Sequence, residues 1–154
     1  ANINMDNLNT FGRMRDVVVV GAGSSELEIY LEDAVLAQGR YIMPEPNPER
    51  GYYYRSDHFN FAKVGVPALY AESGEDSVDY GREWGAAQAQ EYTDNRYHAP
   101  GDEYDPNWDL SGASEDINLY FEITNVLANS LDFPQWFDGN EFKAVREFSI
   151  AERQ

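Results

Sequence analysis

Residues 16–39 read DVVVVGAGSSELEIYLEDAVLAQG. Four consecutive valines closed by Gly21 and Gly23 have the β-branched, uniformly apolar character of a strand buried on both faces. Apolar residues then recur at Leu27, Tyr30, Leu31, Ala34, Val35 and Ala37, which is a helical period. Ser25 and Glu28 stand at capping-box spacing, and Gly39 supplies a stop. A buried strand that turns through glycines into an amphipathic helix is the repeating unit of layered α/β domains.

The same alternation extends both ways. ANINMDNL (1–8) alternates apolar and polar, with Ile3 and Met5 on one face and Asn4 and Asp6 on the other, as in a strand. RYIMPEP (40–46) is a short strand ended by prolines, SDHFNFAKVG (56–65) a short helix from Ser56 to Gly65, and VPALYAES (66–73) a further buried strand. Residues 73–109 read as mostly loop. A long helix is expected from Ser111 to Leu131, with Ile117, Tyr120, Phe121, Thr124, Leu127, Ala128 and Leu131 facing the core. The aromatics of FPQWFDGNEFKAVREFSI (133–150) are expected to dock on the domain. The class is α/β with a largely parallel sheet, whose sites gather at the carboxyl ends of the strands. Asp6, the turn at 21–25 and the loop with His98 all follow strands, so all three are expected there.

The chain has 154 residues, enough for one domain with a real core. It has no cysteine, which removes disulfides, thiol nucleophiles and thiolate metal sites. The net charge is −17, so nucleic acid is not an expected partner. No stretch is apolar enough to span a membrane. GAGSSE (21–26) carries Glu26 where a dinucleotide-binding turn needs its third glycine, and a carboxylate there repels a pyrophosphate. DEYDPNWDLSG (102–112) echoes the start of a calcium loop, but Leu110 replaces the required glycine and Asp116 the final glutamate. It reads instead as a loop feeding a helix capped by Asp109 or Ser111. Asp6, YRSDHFNF (54–61) and YHAPGD (97–102) remain, with imidazole and carboxylates suited to zinc.

NMD (4–6), YYYRSDHFNFAKVGVPALY (52–70), WG (84–85) and YHAPGD (97–102), in this order, resemble the catalytic domain of the M28 zinc aminopeptidases. LSGASEDINLYFEITNVLANS (110–130) looks like that family's last long helix, and FPQWFDGNEFKAVR (133–146) like an extension of bacterial members. The resemblance implies a three-layer, zinc-exopeptidase-like α/β fold around a mixed, mostly parallel sheet. Residues 1–154 would be the C-terminal portion of that single domain. It also implies two zinc ions bridged by a carboxylate. Asp6 matches a ligand of one ion and His98 a ligand of the other. Tyr97 matches the tyrosine that steadies the developing oxyanion, Arg55 a position that helps hold the substrate, and Asp57 and Asp102 acids that orient the site. His58 is family-typical, with a structural hydrogen bond as its expected role.

The resemblance also marks a departure. The family's His-x-Asp motif, with its bridging Asp, and its Glu-Glu pair, with the general base, have no counterpart here, and no histidine precedes His58. They are expected upstream of a chain that opens inside a strand. In the intact enzyme two zinc ions lower the pKa of a water, the upstream Glu takes its proton, and the hydroxide attacks the first peptide bond of a substrate with a free amino terminus. This chain alone is expected to be inactive. Its open sheet edge is expected to pair with the missing half or with another copy. Family members are often exported, so a periplasmic or secreted location is part of the same expectation. Two other functions fit less of the sequence: a non-catalytic α/β module for assembly or cation binding, and a single-zinc glutaminyl-cyclase-like enzyme.

Overall fold

The structure is a computed structural model that describes residues 1–152. Four strands, β1 (Asn2–Asn4), β2 (Asp16–Val19), β3 (Tyr41–Pro44) and β4 (Ala68–Ser73), form one sheet in the order β1-β4-β2-β3. The helices are α1 (Leu27–Ala37), α2 (Tyr52–Arg55), α3 (His58–Ala62), α4 (Arg82–Asn95), α5 (Ser111–Ala128) and α6 (Lys143–Ala151). β1 runs parallel to β4 and β2 parallel to β3, while β2 and β4 are antiparallel. The sheet is therefore mixed and mostly parallel, as expected.

The antiparallel pair changes where the turns fall. Val17 pairs with Ser73 and Val19 with Ala71, so the chain leaves β2 beside the amino end of β4. Ser25 Oγ accordingly donates to the Ala68 carbonyl at 3.3 Å. The 21–25 turn thus lies away from Asp6, which follows the carboxyl end of β1. The expectation that the turn shares one sheet end with Asp6 and His98 is corrected by this strand direction.

Strand periodicity sorts the side chains into two faces. Val17, Val19, Leu69 and Ala71 pack against Leu27, Leu31 and Val35 of α1 and Leu119, Tyr120 and Ile123 of α5. Each large apolar side chain sealed there contributes about 1.5–3 kcal/mol. On the other face Ala68 packs with Ala62 of α3, Trp136 and Phe142. The Trp136 indole donates to the Gly65 carbonyl at 3.1 Å, so the tail docks as its aromatics predict. Helices, sheet, then helix and tail make three layers.

Three local readings change. Residues 82–95 form α4 rather than loop. The face of α5 is rotated from the expected one: Ile117 and Phe121 are exposed, as is Leu131 beyond the helix end, while Gly112, Ala113, Asp116, Leu119, Tyr120 and Ile123 are buried. Asp116 goes inward because Arg40 meets it at 2.7 Å, both side chains being almost wholly buried. Finally, the capping box at α1 is half formed. Glu28 accepts the N–H groups of Gly23, Ser24 and Ser25 at 2.8, 2.6 and 3.2 Å, but Ser25 Oγ is spent on Ala68. This nest of backbone donors, the place an anion would take in a nucleotide-binding turn, is filled by the chain's own carboxylate.

Candidate active site

The parallel register of β1 on β4 pairs Asn4 with Tyr70 and carries the chain to Asp6 just past the strand end. There Ser56 Oγ donates to Asp6 Oδ2 at 2.7 Å, and the Tyr70 hydroxyl lies 3.4 Å from the same oxygen. Asn4 Nδ2 donates to Ser56 Oγ at 3.0 Å, which fixes the serine. Alternation along β4 puts Glu72 on the same face as Tyr70, and the Tyr70 hydroxyl makes a very short hydrogen bond to Glu72. Burial raises the Glu72 carboxyl above its ordinary range; the Tyr70 hydrogen bond opposes this, and the charges of Asp6 and Glu45 add to it. Burial likewise raises the Tyr70 phenol, helped by the Glu72 charge.

His98 arrives from the other side. The end of α4 tightens as the N–H groups of Arg96 and Tyr97 both donate to the Tyr92 carbonyl, at 2.9 and 2.8 Å. His98 follows with φ 57°, the one non-glycine residue with positive φ among the described residues. A side chain held in the left-handed region is strained, and such strain concentrates at functional sites. The Tyr97 ring stacks on the imidazole, with centroids 4.0 Å apart and 20° between planes. Asp102 accepts a hydrogen bond from the Tyr92 hydroxyl at 2.9 Å and so ties the far end of this turn back to α4.

Asp6, Arg55, Tyr97 and His98, four residues drawn from separate parts of the sequence, line one open cleft of ≈ 520 Å³. Glu45, Tyr70 and Glu72 line it too. The guanidinium of Arg55 lies over the Tyr52 ring, 5.1 Å from its centroid. Asp57 stands exposed at the start of α3, and neither it nor Asp102 is in the wall of this cleft. His58 is fully buried between Tyr53 and Tyr70, 4.7 and 5.2 Å between ring centroids. Neither of its ring nitrogens has a hydrogen-bond partner among the described residues. Burial lowers its pKa, against the raising effect of the Asp6 and Asp57 charges. The sequence gives no site role to Ser56, Tyr70, Glu72 or Glu45. YAES did hold a signal, since period-two alternation puts Tyr70 and Glu72 on one face.

Catalytic zinc takes three protein ligands and structural zinc four. Among the described residues no three His, Asp or Glu side chains converge so as to hold a metal ion. The described residues therefore do not make a complete zinc site, although an oriented carboxylate and an imidazole on one cleft suit a share in one. No described helix is long and apolar enough to cross a membrane.

A mixed α/β sheet covered by helices, with its polar side chains converging on one open cleft, defines an enzyme-like α/β domain. Residues 1–122 match the model of peptidase family M28, and the chain belongs to that family, a family of hydrolases that cut peptides. No curated protein and no solved structure matches it significantly.

Proposed function

We propose that this chain forms one wall of the active site of a dinuclear zinc aminopeptidase. The observation that carries the proposal is the cleft that Asp6, Arg55, Tyr97 and His98 line together, at the positions the family resemblance singles out. Asp6 and His98 would each hold one zinc ion. The bridging carboxylate, the general base and the remaining ligands are not among these residues, and the chain by itself is expected to turn nothing over. A protein segment that carries them is the expected partner, seated along the open edge of β1. Zinc, when bound, supplies Lewis acidity that activates water and polarises the peptide carbonyl.

The chain's own residues have distinct tasks. Ser56 holds Asp6 by donating to Oδ2, and Oδ1, which accepts no hydrogen bond among the described residues, would face the cation. Tyr97 presents a phenol O–H, about half exposed, beside the imidazole of His98. Aimed at the carbonyl oxygen, that donor gains strength as negative charge develops there. Arg55, exposed in the cleft wall, would hold a substrate carbonyl or carboxylate. The acidic side of the cleft, Glu45 and Glu72, suits the free ammonium of a peptide.

The test is hydrolysis of amino-acid p-nitroanilides, with free and with acetylated amino termini, by this chain joined to the ligand-bearing segment. Turnover confined to free amino termini is expected, and Tyr97→Phe lowers kcat by about 100-fold or more with KM little changed. Equal cleavage of the acetylated substrates, or an unaffected Tyr97→Phe enzyme, would refute the assignment.

A further inference from the structure

A second cavity of ≈ 470 Å³ lies between the 7–11 segment, the end of α4 and the start of α5. Its size is that of a small-molecule site. Leu8, Phe11, Trp108, Leu110 and Ile117 make its wall mainly apolar. It shares Asn7, Asn9, Phe11 and Tyr92 with the cleft described above, so the two are adjacent.

Chain order fixes how they lie side by side. Asp6 lines the cleft, Asn7 lines both spaces, and Leu8 lines only the second. Tyr97 and His98 line the cleft, while their neighbour Arg96 lines only the second. On both walls the residues assigned to chemistry are thus next or nearly next in sequence to residues that line the apolar cavity. A peptide bond held at Tyr97 and His98 has one flanking side chain within reach of it.

Charge decides which flank. Glu45 and Glu72 line the cleft and not the cavity, and they draw the amino-terminal ammonium to their side. The cavity's one cationic wall residue among the described residues is Arg96. Its guanidinium lies 5.9 Å from the Phe11 ring centroid and 5.4 Å from that of Tyr92, and it pairs with Glu91 at 2.5 Å. The cavity's carboxylate, Asp102, is engaged by the Tyr92 hydroxyl. Arg50 and Arg55, also in the cleft wall, stand beside Tyr52. With its ammonium among the acids, a peptide points its following residue toward Arg96 and the apolar wall.

We infer that this cavity receives the side chain of the residue after the scissile bond and selects peptides with a large apolar second residue. The inference rests on the peptidase assignment for its choice of ligand, but occupancy of the cavity needs neither metal nor hydrolysis.

The test is a nuclear magnetic resonance titration of the full chain with the dipeptides Leu-Phe and Leu-Gly. Leu-Phe is expected to shift the indole N–H resonance of Trp108 and to bind about tenfold more tightly than Leu-Gly, the scale of burying one apolar side chain. Ser114 is exposed on α5 and lines only the cavity. Ser114→Phe therefore fills the space and removes the difference between the dipeptides, while Ile117→Ala reduces it. Equal affinities, or Leu-Phe shifts confined to cleft residues, overturn the inference. N-acetyl-Leu-Phe binding as tightly as Leu-Phe overturns the orientation. Hydrolysis by the loaded enzyme with no second-residue preference defeats the cavity alone. Absence of hydrolysis, with Trp108 still responding to Leu-Phe, defeats the peptidase assignment and leaves the cavity standing.

Discussion

Among single residues His58 is the most informative, because it is sealed between two tyrosine rings with both nitrogens unpartnered among the described residues. The expected structural hydrogen bond is not there among the described residues. Burial holds the imidazole neutral, so its folded pKa lies below the unfolded one. The unfolded chain then binds the extra proton first. The stabilising effect of a neutral His58 is complete above the unfolded pKa and is lost as pH falls through it toward the folded value. Thermal melts from about pH 7.5 down to about pH 5 should show stability declining below about pH 6.5, and His58→Phe should flatten that decline. A slope unchanged in His58→Phe would assign the acid sensitivity elsewhere. The sequence names His58 but cannot say what surrounds it, because Tyr53 and Tyr70 meet it only once α3 lies on β4. Asp6 and His98 were legible as ligand types, whereas the partners of Asp6, Ser56 and Tyr70, depend on that same packing.

Elements were legible where apolar period and burial agree. The valine strand, apolar throughout, and α1, apolar on one face, form where they were expected. α4 has no such face: REWGAAQAQEYTDN buries only Gly85, so periodicity was silent although the helix sets the position of Tyr97 and His98. α5 was found but misfaced, because its buried side includes small residues and an ion pair. Asp116 accepts from Arg40 at 2.7 Å and from Ser73 Oγ at 2.8 Å, and Asn9 Nδ2 reaches Ser73 Oγ at 3.2 Å and the Gly12 carbonyl at 2.5 Å. This chain of bonds ties α5 to β4 and to the segment that follows Asp6. Asp116→Ala leaves a buried, unpaired Arg40 and should cost about 3–5 kcal/mol in urea unfolding, with Asp116→Asn costing less. Gly112, in the first turn of α5, lies against the same segment, where an added Cβ would lie 2.1 Å from the Gly12 carbonyl oxygen. Gly112→Ala should therefore destabilise by about 1–3 kcal/mol, against the helix-propensity gain that alanine normally brings. A neutral or stabilising result would mean that the segment yields easily, and that it does not hold Asp6 rigidly.

For the whole molecule the net charge of −17 is the largest uncompensated term. Most of the ion pairs that do form are at the surface, where each contributes little. Self-repulsion should dominate, so the melting temperature should rise steadily between about 0.05 M and about 1 M NaCl as screening shortens its range. A flat salt response would show that the acidic groups are too far apart to strain the fold. The class of fold could be read at this scale because strand and helix alternate along the chain. The reversal of β2 against β4 could not, since it depends on pairings between residues far apart in sequence. The meeting of Asp6, Arg55, Tyr97 and His98 was legible only through the family resemblance, because no periodicity or spacing shows that the sheet and α4 bring them together. That meeting carries the central claim, that the chain contributes one ligand to each of two zinc ions. The most direct measurement is the zinc content of this chain joined to the segment that bears the other ligands, taken by atomic emission after dialysis. The expected result is two zinc ions per protein, with Asp6→Ala and His98→Ala each lowering that content. Zinc content unchanged by both substitutions, or no bound zinc at all, would contradict the claim.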